Sequence, residues 1–260
     1  MKIFRITALS ALVALMTIGC QNPNPVELDP IENKGYLKLS SLSVEVVTDH
    51  QQNNTDVSSR TEGQLDINNF NCFIYSQSGE ELIMSFKYGE RPTEAITLDG
   101  GKYIFKMVSG EVADAAFESP VYCVSEIFTI VRKETTKLEN LVCTLQNIQT
   151  TVSYSVDLRE ALSDDTIATL SIGDASLDFI VDETRSGYFK AVNKLNDIDI
   201  LVKGMYTQEG KEPAPFEFTT TIKDVKAGQY SDIQLYIEYS GEGSIALSVT
   251  IDSLQQLLRF

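Results

Sequence analysis

The sequence contains no tryptophan, a single histidine (His50) and only 21 basic side chains against 37 acidic ones. Each shortage removes a class of function. With one imidazole in the whole chain, histidine-based zinc sites and Ser-His-Asp triads have almost nothing to draw on. His50 itself follows Asp49 at the start of a polar stretch and reads as a surface loop residue. The lack of tryptophan takes away the largest aromatic platform for stacking a sugar. The formal net charge of -16 is unsuited to binding a phosphate backbone by counterion release, so no nucleic-acid partner is expected. Beyond the first twenty residues no run of 18 apolar residues occurs, so no later segment reads as a membrane-spanning helix.

What remains is a chain of 260 residues, 43% of them apolar, long enough for one large domain or two ordinary ones. Its N-terminus is laid out as a signal peptide, residues 1–19. Lys2 and Arg5 precede thirteen uncharged residues, Ile6 to Ile18, which as a helix would reach only about 20 Å and fall short of a bilayer. Thr17-Ile18-Gly19-Cys20 then resembles a bacterial lipobox, in which the thiol takes a diacylglyceryl group and cleavage leaves it at the mature N-terminus. Gly19 supplies the small residue the peptidase needs before the bond. Thr17 departs from the usual leucine, and ordinary secretory cleavage nearby is the alternative reading. Lipidation at Cys20 would make the N-terminal lipid the membrane partner. Loss of Lys2 and Arg5 leaves the mature chain more acidic still, which argues against polybasic attachment. Residues 20–34, with Pro23, Pro25 and Pro30, read as an extended tether.

Three further thiols, Cys72, Cys123 and Cys143, allow at most one disulfide, and their spacing matches no zinc pattern. Cys72 alternates with Phe70 and Ile74, and Cys143 with Leu141 and Leu145. Both are expected to be buried thiols on inward strand faces, with one bridge as the alternative.

Period-two alternation recurs along the body: Val152, Tyr154, Val156, Leu158; Leu177, Phe179, Val181; Phe216, Phe218, Thr220, Ile222; Leu235, Ile237, Tyr239; and Ile245, Leu247, Val249, Ile251. One apolar and one wet face per strand is the mark of antiparallel sheets. The best helical candidate is the short stretch Asp157 to Asp164. In Gly35 to Thr48 the apolar parity changes at Ser40-Ser41, which predicts a bulge or a switch of sheet there. Asp49 to Gln64 reads as a long exposed loop. About seven strands before residue 147 and seven or eight after it predict an all-β fold of two tandem antiparallel β-sandwich domains, 35–147 and 148–260.

Acids in adjacent or near-adjacent positions, Asp164-Asp165, Asp182-Glu183 and Asp197 with Asp199, have the composition of a glycosidase pair. In so acidic a chain they read as solvated faces, and no calcium-loop spacing accompanies them. No catalytic residue, metal site or cofactor is therefore expected. Tyr188, after Gly187, is expected in a turn, and Tyr236 and Tyr239 on opposite faces of one strand, so no stacking platform is evident.

An ordered set of short patterns runs through the first half: Gly35-Tyr36-Leu37-Lys38-Leu39; Asp66, Phe70 and Ile74; Ser85-Phe86-Lys87-Tyr88; Ile96-Thr97-Leu98 before Gly100-Gly101 and Tyr103; Ala116-Phe117-Glu118, Pro120 and Tyr122; Cys143-Thr144-Leu145, Asn147 and Ile148. After a lipobox, this set resembles a family of Bacteroidetes lipoproteins carrying a domain of unknown function, similar in layout to the fimbrillin superfamily. The resemblance implies transthyretin-like β-sandwiches, no catalytic residues, and a place on the outer membrane or cell surface as a fimbrial or adhesion-associated subunit or anchor, with fimbrial subunits or surface proteins as partners. It also implies a maturation in which cleavage after an early-loop arginine removes the lipid and first strand, leaving a groove for a neighbour's strand. Arg60 is the only arginine between Cys20 and Arg91, and an ordinary loop arginine is the alternative. The competing function is a glycan-binding lipoprotein of a nutrient-uptake complex.

Overall fold

The computed structural model describes residues 33–47, 65–207, 212–239, 245–251 and 254–256. Ten strands precede residue 147: β1 (Lys34–Lys38), β2 (Val44–Val46), β3 (Asn71–Ser76), β4 (Leu82–Lys87), β5 (Ile96–Asp99), β6 (Gly101–Val108), β7 (Ala115–Phe117), β8 (Tyr122–Ile130), β9 (Thr135–Lys137) and β10 (Leu141–Leu145). From there run β11 (Asn147–Tyr154), a one-and-a-half-turn helix α1 (Val156–Ala161), β12 (Ile167–Ile172), β13 (Ala175–Ile180), β14 (Gly187–Lys190), β15 (Asn196–Tyr206), β16 (Ala214–Val225), β17 (Tyr230–Tyr239), β18 (Ile245–Ile251) and β19 (Leu254–Gln256). The protein is all-β. Among the described residues no helix is long and apolar enough to cross a membrane.

Four sheets enclose two cores. A three-stranded sheet in the order β5-β1-β9 and a six-stranded sheet β2-β10-β8-β6-β3-β4 share the first, where Leu37, Leu39 and Leu98 meet Cys72, Ile74, Phe105, Met107, Phe128 and Cys143. The second lies between β19-β18-β17-β11-β14-β7 and β13-β12-β15-β16, joining Ile148, Phe189, Ile233 and Leu235 to Leu170, Phe179, Ile200, Val202 and Phe218. The alternation is the cause: in β6, Tyr103, Phe105 and Met107 are buried while Lys102 and Lys106 are exposed. The tight β12–β13 hairpin turns on Gly173, whose φ of 59° an L side chain rarely adopts.

Several sequence expectations are refined. The parity change at Ser40-Ser41 is a switch of sheet, since β1 lies in the three-stranded sheet and β2 in the six-stranded one. The observed strands outnumber those expected because the three-residue strands β7, β9 and β19 are too short to show a period. Pairing is mainly antiparallel, but β1–β9, β2–β10 and β11–β17 are parallel. The alternation through Val152 and Tyr154 breaks at Val156, which is 71% exposed as the first residue of α1. Ser155 caps that helix by accepting from the Leu158 N–H, and Leu158 closes its buried side. Tyr188 belongs to β14, not to a turn, and is buried.

The two cores meet where β10 runs into β11, with Gln146 alone between them. Asn147 is 1% exposed and holds this crossing. Its Oδ1 accepts from the Val121 N–H at 2.6 Å, its carbonyl accepts from the Gly228 N–H at 2.8 Å, and the Gln146 N–H donates to Val121 O at 2.7 Å. β7 crosses the same boundary, pairing from the first half onto β14 of the second. Asn147→Leu should strand the buried Val121 N–H and cost about 1–3 kcal/mol. Denaturant unfolding followed by circular dichroism checks this, and a midpoint equal to the parent's would refute it.

Candidate functional site

The feature that most sets this fold apart is the seat of β1. It is the middle strand of its sheet, antiparallel to β5 (Gly35 opposite Leu98, Leu37 opposite Ile96) and parallel to β9 (Tyr36 opposite Thr135, Lys38 opposite Lys137). Both of its edges are therefore engaged. At its start Asn33 O accepts from the Gly100 N–H at 2.6 Å, and Lys34 Nζ lies 2.8 Å from the Asp99 carboxylate. Leu37 and Leu39 are fully buried and Leu42 nearly so, which makes this short segment a structural part of the first core. Gly35 is required by close approach: a Cβ there would run into the Val131 carbonyl oxygen and lie 2.7 Å from Ile130 Cγ2.

The chain then crosses to the other sheet. The Tyr88 hydroxyl donates to Leu42 O at 2.8 Å, and Arg91 stacks on the Tyr88 ring, 4.4 Å from its centroid. Beyond, β2 lies parallel on β10, Ser43 O accepting from the Leu141 N–H and Cys143 O from the Val47 N–H. Residues 33–47 thus span both layers of the first sandwich. Removing them would expose the edges of β5 and β9 and a leucine-lined trench in one step. Sequence pattern alone marked the strand and its sheet switch. Its place between β5 and β9, and the roles of Tyr88 and Gly35, depend on partners that no local signal names.

Cys20, Arg60 and His50 lie outside the described residues. The other thiols are all free and buried. Burial pushes Cys72 up to about 12, reinforced by the nearby Cys143, and Cys143 up to about 11. Neither is a thiolate at neutral pH, so neither is a nucleophile or a ready metal ligand. Among the described residues no three His, Cys, Asp or Glu side chains group to hold a metal ion.

Two of the acid pairs raised by the sequence meet at one cation, and the third is engaged elsewhere. Asp164 and Asp182 both face Arg159, at 3.1 and 3.0 Å. Lys223 holds Asp197 at 2.7 Å and Thr221 donates to Asp199 at 2.7 Å. Glu183 is the most constrained: its carboxylate accepts from the Thr184 and Arg185 backbone N–H groups and from Nε and Nη2 of Arg185, whose guanidinium lies over the Phe117 ring of β7. The Arg185 side chain, with these backbone donors, holds its carboxyl down at about 2. A shallow depression bordered by Asp66, Asn69, Ser109, Glu111 and Pro120 lies near the crossing of the two cores. Asp66 is spent there on capping, accepting from the Asn68 N–H and both neighbouring asparagine amides.

Comparison with known proteins gives one family. A domain of unknown function (DUF4493) matches residues 33–257. No curated protein matches. Similar solved structures include a fimbrial assembly protein from Parabacteroides distasonis (14% identity, 84% of this chain and 98% of that one, TM-score 0.37). A proposed adhesin from Bacteroides ovatus shares 6% identity over 76% of this chain and 90% of that one, with a TM-score of 0.44. A proposed cell adhesion protein from Bacteroides fragilis shares 10% identity over 87% of this chain and all of that one, with a TM-score of 0.38.

Two outcomes follow from this geometry. Gly35→Val should unseat β1 and destabilise the protein by about 1–3 kcal/mol, with faster amide exchange confined first to β5 and β9; protection unchanged in those strands would contradict the seat. Because the Glu183 pKa falls below its ordinary 4.5, its contribution is complete above that value and is lost as pH drops toward about 2. Acid titration of the folded fraction should therefore show Glu183→Gln losing less stability than the parent across this window.

Proposed function

The chain belongs to the family described as a domain of unknown function (DUF4493), whose match takes in both hydrophobic cores, and from that premise we propose that it is a non-enzymatic, lipid-anchored surface protein, a subunit or anchor associated with fimbriae or adhesion. The observation that carries the reading is the lodging of β1. The segment nearest the lipobox in sequence is also the one that closes the first core, so an anchor on Cys20 would be joined to the fold through a strand engaged on both edges. Acyl chains contribute about 0.8 kcal/mol per buried methylene, and two or three of them hold a protein at a bilayer without a spanning helix. The proline-bearing stretch ahead of Asn33, shorter than the tether of residues 20–34 because Lys34 already belongs to β1, would space the fold from that surface, on the outer membrane or cell exterior.

The same arrangement gives cleavage after Arg60 a physical consequence. It would sever residues 20–60, and with them Leu37, Leu39 and Leu42, from the rest of the chain. Release of the severed piece would leave β5 and β9 unpaired along the edges that β1 had filled. An extended strand from a neighbouring subunit, apolar on alternate residues, has the chemistry to occupy that trench. The polymerising subunit and the uncleaved anchor are then two states of one chain, separated by a single peptide bond.

Fractionation of cells tests the anchor: Cys20→Ala should move the protein from membrane to soluble fraction, and a distribution identical to the parent's overturns it. Mass spectrometry of the mature N-terminus tests the maturation. Surface-assembled material should begin at Thr61, Arg60→Ala should retain residues 20–60, and a start at Cys20 alone in assembled material rules the cleavage out.

A further inference from the structure

β4 is the outer strand of the six-stranded sheet, paired with β3 and with no strand on its other side among the described residues. Edges of this kind are normally blunted by brevity, charge or proline. Among the described residues the other edges follow that rule: β2, β7, β9 and β19 are three residues long, β5 has four and ends in Asp99, β13 carries Asp178, and β16 carries Pro215, Glu217 and Lys223. β4 does not. Leu82-Ile83-Met84-Ser85-Phe86 is an uncharged, β-prone run, with Leu82 49% and Ile83 37% exposed.

From Met84 to Lys87, beyond the bulge, its backbone is oriented for pairing, whereas Glu81 O accepts from the Ser76 N–H of β3. The Tyr88 N–H donates to Phe70 O at 2.9 Å, so by alternation Phe86 and Met84 turn their backbone groups toward β3, and Ser85 and Lys87 turn theirs outward. Its charges are arranged head to tail: Glu80 and Glu81 stand at one end and Lys87 at the other, all exposed and, among the described residues, in no ion pair. On the outer face a row of Ile127, Ile104, Tyr75 and Leu82 crosses four strands and ends at this edge.

The geometry points to β4 as a homotypic interface, at which a second copy of this chain adds its own β4 antiparallel about a twofold axis near Met84. That axis carries Lys87 of each copy to the Glu80–Glu81 end of the other, so the contact is locally balanced in a chain that is otherwise strongly acidic. The outward N–H and C=O groups gain partners, and the apolar row continues toward its symmetry mate across the joined sheets. The interface is independent of any event at Arg60, because β4 lies wholly downstream of that bond.

The test uses the full chain in intact cells. Ser85→Cys introduces an exposed thiol beside the axis, while the native thiols of the body stay buried. A short bismaleimide should then give a crosslinked homodimer on a denaturing gel. Adding Lys87→Glu should abolish that band, and the triple reversal Glu80→Lys, Glu81→Lys, Lys87→Glu in the same background should restore it. A monomer only in the Ser85→Cys protein, or a band unchanged by Lys87→Glu, overturns the proposal. So does failure of the triple reversal to restore the band when circular dichroism shows that this variant is folded.

Discussion

The first sandwich depends on a strand that is held by hydrogen bonds on both sides and by leucines on one face. A terminal segment would ordinarily be the cheapest part of a domain to lose, because few contacts tie it down. Here it lies between β5 and β9, buries Leu37 and Leu39 completely, and then crosses to the opposite sheet under the Tyr88 hydroxyl. The cost of removing it is therefore the cost of opening the core. Residues 33–47 are thus an integral part of the first unit.

The second unit is tied to the first more firmly than a linker would allow. One residue separates β10 from β11, and Asn147 spends both its side-chain oxygen and its carbonyl on the crossing. β7 leaves the first half to become an edge of the second half's sheet, while Tyr188 on β14 packs into the first core. Arg185 adds to this seam, lying over the Phe117 ring while it holds Glu183. Exchanges in both directions couple the units, so a pull applied at the N-terminus would be carried into the second sandwich through backbone and packed side chains.

The acids that stand together in sequence face cations or hydroxyls: Asp182 and Asp164 on Arg159, Asp197 on Lys223, Asp199 on Thr221. The thiols are sealed and held in the neutral form by burial. Among the described residues β4 is the one edge longer than four residues that carries neither charge nor proline in its middle.

Reading along the chain was enough for whatever depends on near neighbours. Alternation in β3, β10, β13 and β16 set their buried faces, the parity change at Ser40-Ser41 marked a bulge or a switch that is a switch of sheet, and the helical candidate Asp157 to Asp164 overlaps α1 over its first five residues. It also placed Cys72 and Cys143 on inward faces. It missed the three-residue strands β7 and β9, which are too short to show a period, and it placed Tyr188 in a turn because Gly187 is a turn residue in most settings. Partner choice was out of reach: that β1 lies between β5 and β9, that three pairings are parallel, that β7 crosses to β14, and that Asn147 holds the seam. A period of two says which side chains face inward, but it is the same for every partner and either direction. Only the closing of both cores, with each buried amide finding its acceptor, selects among them.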